Sequence, residues 1–145
     1  MVLPAIALPL LSHSFRATVA GETVAFTEVS GLAIEREQAT YRHGFSQWEG
    51  EDIRTYRSPK HQRVTLSRGA FAGDGRFFAW LVDEDAGPRP MEIAMIDAAG
   101  AAALIWRIRR AVPVKLGGPT LTATGTDVAV ETLEVMASGI TVARP

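Results

Sequence analysis

Alternation with period two runs through most of this chain, and it is the feature that most limits the fold. Between Ser12 and Val19, Phe15, Ala17 and Val19 share one parity and Ser14, Arg16 and Thr18 the other. Such a stretch makes a half-buried strand, because successive side chains of an extended backbone point to opposite faces. Gly21-Glu22 reads as a tight turn into a second strand, Thr23–Val29. Gly31 breaks that run, and Leu32–Tyr41 continues as a more polar strand. In His61–Arg68, Val64 and Leu66 oppose Arg63, Thr65 and Ser67. Met91–Ile96 and Ala102–Arg110 flank Asp97-Ala98-Ala99-Gly100, a hairpin turn. Asp127–Met136 closes the series with a phase slip: Val128 and Val130 share one parity, Leu133 and Val135 the other. A bulge near Glu131-Thr132, or burial of both faces, accounts for that.

One segment breaks the pattern. Gly73-Asp74 supplies a helix start, and Phe77, Trp80 and Leu81 recur at helical spacing. Asp83-Glu84-Asp85 and Gly87-Pro88 stop it, and acidic residues at that end oppose the helix dipole, so the helix is short. The expected fold is mainly β: an antiparallel sandwich or barrel of about seven strands, with one α-helix over an edge or an end.

Composition narrows the function. With 145 residues the chain reads as a single domain, 1–145. Fifteen Lys plus Arg against sixteen Asp plus Glu give a formal net charge of −1, without the basic excess usual for polyanion binding. There are no cysteines, which excludes disulfides, thiolate metal sites and cysteine nucleophiles. The apolar stretch Val2–Leu11 is about half the ~20 residues of a membrane span and is interrupted by Pro4 and Pro9. It lacks the basic start and cleavage pattern of a signal peptide and reads as an N-terminal arm, residues 1–11.

No catalytic constellation stands out. His13, His43 and His61 lack metal-ligand spacing. Ser30-Gly31 lacks the flanking glycines of a nucleophile elbow. Gly69, Gly73 and Gly75 are not followed by the Lys-Ser or Lys-Thr of a phosphate loop. Glu35 and Glu37 share a strand face and suit a solvated or inter-subunit strip. Arg107, Arg109 and Arg110 form a short basic run that fits either a phosphate or pairing with Glu35, Glu37 or Glu131. Only Lys60 and Lys115 are lysines; an arginine-rich set favours interface ion pairs.

The segment Gly44–Pro59 reads as a long loop, and loops of that length usually have a task. Phe45, Trp48, Ile53 and Tyr56 are large and apolar or aromatic, and Arg54 and Arg57 lie among them. Aromatics and arginine are favoured interface anchors, so these six residues are the candidate assembly contacts. The competing reading is a flap folded on its own domain.

The order of motifs resembles the tail tube family of contractile phages and related extracellular contractile injection systems. The resemblance runs from about Leu10 to Gly139. It rests on Phe15, on Phe26-Thr27-Glu28-Val29-Ser30-Gly31-Leu32, and on Tyr41-Arg42-His43-Gly44. Next come Val64-Thr65-Leu66-Ser67-Arg68-Gly69, Phe78-Ala79-Trp80 and Trp106. Ala111-Val112-Pro113-Val114-Lys115, Gly118-Pro119 and Ala129-Val130-Glu131-Thr132-Leu133-Glu134 complete it. The loop Gly44–Pro59 lacks the glycine- and asparagine-rich character common in relatives, and Gly73-Asp74-Gly75 is richer in glycine than usual.

The resemblance implies a structural protein, not an enzyme, with no cofactor and no metal. It implies a hexameric ring-forming fold whose rings stack into a hollow tube inside a contractile sheath. The lumen then carries DNA or protein cargo, with Glu35 and Glu37 as lumen-facing candidates. Implied partners are further copies of the chain, the sheath protein, and initiator, baseplate and spike proteins. Assembly is implied in the bacterial cytoplasm, into a phage tail or an extracellular particle. Two alternatives remain: a tube-initiating or baseplate-associated paralogue of the same fold, and a nucleic-acid-binding β-barrel using the arginine run. The ring protein of type VI systems fits these motifs less well.

Overall fold

The computed structural model describes residues 10–41, 52–70 and 72–145. Seven strands form one antiparallel sheet: β1 (Phe15–Val19), β2 (Glu22–Val24), β3 (Glu28–Ser30), and four more introduced below. A separate hairpin is made by β4 (Arg36–Tyr41) and β5 (Asp52–Pro59). The main sheet continues with β6 (Gln62–Gly69), β7 (Arg89–Ile96), β8 (Ala102–Gly117) and β9 (Val130–Ala143). The single helix, α1, spans Arg76–Val82.

The strand order is β2-β1-β7-β8-β9-β6-β3. This places β2 and β3 at opposite margins, although only Ala25-Phe26-Thr27 separates them in the chain. Laid flat, six inter-strand gaps span roughly 29 Å. Three linking residues reach about 14 Å. The sheet is therefore rolled into a barrel, and the short crossing sews its margins together. Thr27 anchors the β3 end of the crossing to β6, donating from both its N–H and its hydroxyl to the Ser67 carbonyl at 2.8 and 3.1 Å.

The inward parity is the apolar one. Ala17, Val19, Val24, Val64, Leu66, Met91, Ile93, Ile108, Leu133 and Val135 are buried, and Phe77 and Trp80 of α1 join them. The Trp80 indole N–H donates to the Gly87 carbonyl, which satisfies its polar edge. α1 packs against β8, and β7 stops opposite Ala111, so among the described residues β8 continues from Val112 to Gly117 with a strand on one side only. Pro113 is tolerated there, since a proline cannot serve two neighbouring strands.

Several sequence expectations are met. The Asp97–Gly100 turn is present, and the Asp97 carboxylate accepts from the N–H groups of Ala99 and Ala101. The helix is short, as its acidic end requires. Gly75 rather than Asp74 occupies its N-cap, while the Asp74 carboxylate accepts from the Arg76 N–H.

Other expectations are corrected. Thr23–Val29 is two strands, because the chain leaves one margin of the barrel for the other. Of Leu32–Tyr41, only Arg36–Tyr41 is strand. The second half of the Gly44–Pro59 loop, Asp52–Pro59, is β5, paired with β4. β8 runs seven residues beyond Arg110, and β9 ends at Ala143 rather than Met136.

The phase slip has a different cause from either one expected. β9 begins at Val130, so Val128 precedes it, and both valines are exposed. Pairing with β6 is continuous from Val130 to Ala137. The irregularities lie in β8, which absorbs an extra residue between Pro113 and Lys115. Farther along, Ile108 and Ala111 both face the core although three apart, as do their partners Ile140 and Ala137. Gly139, with φ +69°, lets β9 turn there, and a β-carbon on it would meet Arg109 Cβ at 2.8 Å.

Candidate assembly surfaces

Three features of the barrel bear on function: a buried ionic latch, a detached hairpin and an uncovered strand edge.

The latch was not singled out from the sequence. Arg68 shares parity with Val64 and Leu66, so its side chain turns into the barrel and is only 4% exposed. Its Nε donates to Glu131 on β9 at 2.6 Å and its Nη1 to Asp74, just before α1, at 2.9 Å. The guanidinium lies 4.4 Å from the centre of the Phe77 ring, which stacks on Phe26. One arginine thus ties β6, β9, the helix and the seam together. The Arg76 side chain, also hydrogen-bonded to Asp74 at 3.1 Å, is the main cause holding that carboxyl below its ordinary 3.8; the Arg76 N–H and Arg68 act in the same direction. Parity was the signal: Arg68 continues the apolar phase.

The hairpin β4–β5 is fixed at its base. The Lys60 N–H donates to the Glu35 carbonyl at 2.5 Å, Lys60 Nζ lies 3.6 Å from the Glu35 carboxylate, and Gln62 donates to it at 3.1 Å. The base therefore sits where β6 begins. Among the described residues no strand of the main sheet pairs with the hairpin.

The edge lies beside that base. β6 begins opposite Ala137, but β9 runs on to Ala143. Ser138–Ala143 has β8 on one side and no strand on the other among the described residues.

The candidate assembly residues are distributed accordingly. Ile53 and Arg54 lie on β5 opposite Thr40 and Ala39, and Tyr56 and Arg57 follow on the same strand. Phe45 and Trp48 lie outside the described residues, as do His43 and positions 1–9 of the arm. Glu35 is exposed and precedes β4, and Glu37 lies on β4. Glu131 is taken by Arg68, while Arg107 lies 3.6 Å from Glu92 on β7. Arg109 and Arg110 are exposed on β8.

Among the described residues no group of three or more His, Asp or Glu is placed to hold a metal ion. His13 and His61 are exposed and far apart in the chain. The hollow under the Gly118–Val130 loop has Asp127 as its one ionisable lining residue among those described. No helix among the described residues is long and apolar enough to cross a membrane.

The model of the T4-like virus tail tube protein gp19 family matches residues 11–141. The chain belongs to that family. Members are structural tube proteins, and the resemblance read from the motifs is thereby upheld. Solved structures agree. A chain in the anti-feeding prophage tube-terminating cap is 25% identical, with a TM-score of 0.86 over 99% of this chain and 97% of that one. A chain of the PVC extracellular contractile injection system sheath–tube complex, in its extended state, is 25% identical, with a TM-score of 0.81 over 94% and 93%. Hcp1 from Flavobacterium johnsoniae, at 15% identity, 91% and 96% coverage and a TM-score of 0.59, shares the fold. The comparison with curated proteins finds no match.

Proposed function

We propose that this tail tube family member is the main inner-tube subunit of a contractile tail or injection particle. It forms hexameric rings that stack into a hollow tube, and the lumen passes DNA or protein when the surrounding sheath contracts. It acts without catalysis and without a cofactor. The observation that carries the reading is the agreement of motif order and fold over nearly the whole chain with a tube from a sheath–tube complex. The partners that follow are further copies of the chain, the sheath, and initiator, baseplate and spike proteins. Assembly in the bacterial cytoplasm is part of the same proposal.

Physical chemistry supports self-assembly. Uncovered strand edges are a liability in a monomer, and a head-to-tail contact that closes into a ring removes them. The same contact logic along the axis gives a stack of rings. Phe45 and Trp48, with Ile53, Arg54, Tyr56 and Arg57, are the proposed contacts between rings, joined by the arm at residues 1–11. Glu35 and Glu37 are the proposed lumen-facing pair. The double variant Phe45→Ala/Trp48→Ala should keep the wild-type circular dichroism spectrum and lose long tubes in electron micrographs. Full-length tubes from that variant would remove these side chains from the stacking contact.

The likeness to the tube-terminating cap favours a second reading, in which the chain makes one ring at an end of the tube. Tube length separates the two: a main subunit polymerises into many stacked rings, a terminal one stops at a single ring.

A further inference from the structure

We propose that the chain's own N-terminal arm, Val2–Pro9, seats in an apolar slot at one end of the barrel and closes it. The proposal concerns the free subunit and does not rest on ring formation. A seated arm keeps an outer side for the stacking contact.

The slot is what the short strands leave open. β2 pairs with β1 only at Ala17–Val19, so Phe15 and Arg16 have β7 on one side and no strand on the other among the described residues. β3 is likewise paired on one side, with β6. Between these two margins lies a hollow of about 490 Å³. Its apolar walls are Phe15, Val29, Leu32, Ile93, Met95 and Trp106. Ile93 belongs to the buried core, whereas Phe15, Val29, Leu32 and Trp106 pack against that core and stay only partly buried. Two aromatic rings and two branched side chains are thus left half open to water, an apolar concavity of the kind that takes an apolar ligand.

The arm fits this slot by place and by chemistry. The Ser14 N–H donates to the Leu11 carbonyl at 3.4 Å, closing a turn, so the chain doubles back just before β1. Ser12 and His13 of that turn line the slot, which puts the root of the arm at its mouth. The segment Val2–Pro9 reaches up to about 27 Å when extended, so it crosses the hollow without help from another copy. It consists of valine, leucine, isoleucine, alanine and proline alone, with no charged or hydrogen-bonding side chain. Pro4 and Pro9 hold it extended, which lowers the entropy lost on seating. Seating removes two apolar surfaces from water together.

The absence of native cysteine makes a direct test clean. Leu32→Cys is combined in turn with one cysteine at each position from Val2 to Leu8, and the full-length protein is oxidised when dilute and monomeric. The expected result is an intrachain disulfide at one or more arm positions, with a yield independent of protein concentration. Arg16→Cys is the control. It lies on the opposite face of β1 from Phe15 and nearer the arm in the chain, so an arm free in solution would join it more readily than Leu32→Cys. Preference for Arg16→Cys, or no bond to Leu32→Cys at any arm position, overturns the proposal. Covalent dimers from an equal mixture of the two single-cysteine chains, in place of the intrachain bond, seat the arm on a neighbour and also overturn it. A second measurement uses an apolar fluorescent dye. Deleting residues 2–9, or the full-length variant Ile6→Asp, should raise dye fluorescence about twofold with the circular dichroism spectrum unchanged. A synthetic peptide of residues 1–11 should reverse the rise in the deletion variant. Unchanged dye fluorescence in both variants contradicts an occupied slot.

Discussion

Arg68 joins β6, β9 and the approach to α1 through one buried side chain. A buried guanidinium is tolerated only when its charge is met, and here two carboxylates and an aromatic face meet it. Arg68→Ala strands Glu131, takes from Asp74 one of its two arginine partners and should cost about 3 kcal/mol in denaturant unfolding. The latch also sets an acid limit. Asp74 has a folded pKa below its unfolded value of 3.8, held there first by Arg76. Its contribution is present above the unfolded value and is lost as pH falls through the folded one. Asp74→Asn should therefore flatten the stability profile below about pH 4 relative to wild type, measured by chemical unfolding across that range. Gly31 is the second critical position. It has φ +85°, and a β-carbon there would strike the Arg63 carbonyl oxygen on β6. Gly31→Ala should lower stability by about 1–3 kcal/mol, more than a surface substitution does. The break at Gly31 was legible in the sequence. Its close approach to β6 was not, because that contact is made between residues far apart in the chain.

Among the elements, the β1–β2 turn carries a correctable fault. Ala20 and Gly21 have φ of 51° and 83°, the signs required by a two-residue hairpin of type I′. Alanine is disfavoured in that region, where asparagine is common. Ala20→Asn should raise the thermal midpoint by a few degrees, near 1 kcal/mol. The β4–β5 hairpin makes the opposite prediction: its amides should exchange quickly in the free subunit and slowly once assembled. Element identity was readable wherever one face is buried, as in β1, β6 and β7. The Asp97 turn was readable from its residues. Asp52–Pro59 escapes a strand reading from sequence because its large residues, Ile53 and Tyr56, are three apart and do not follow a period of two. The join of Val24 to Glu28 was read as one strand because no local residue announces that the chain changes margins. The extension of β8 past Pro113 was hidden by proline, whose cost depends on whether a second strand lies alongside.

For the whole molecule, the barrel explains how a small cysteine-free chain serves as a building block. Its core needs no staple, and among the described residues one strand edge and one hairpin lie outside the main pairing. The family was legible because the ordered motifs run through nearly the whole chain, as does the family match over residues 11–141. The candidate assembly surfaces were only partly legible. Composition pointed to the Gly44–Pro59 region, whereas the β9 edge emerges only from the register of its neighbours. With a net charge of −1, the free subunit should give a flat titration with single-stranded DNA even at low salt. Strong, salt-sensitive binding would favour the nucleic-acid-binding reading.

The most direct test is negative-stain electron microscopy of the purified full-length protein over a range of concentrations. Six-fold rings that stack into hollow tubes as concentration rises are the expected result. Monomers at every concentration, with no incorporation when preformed baseplates are supplied, would contradict it.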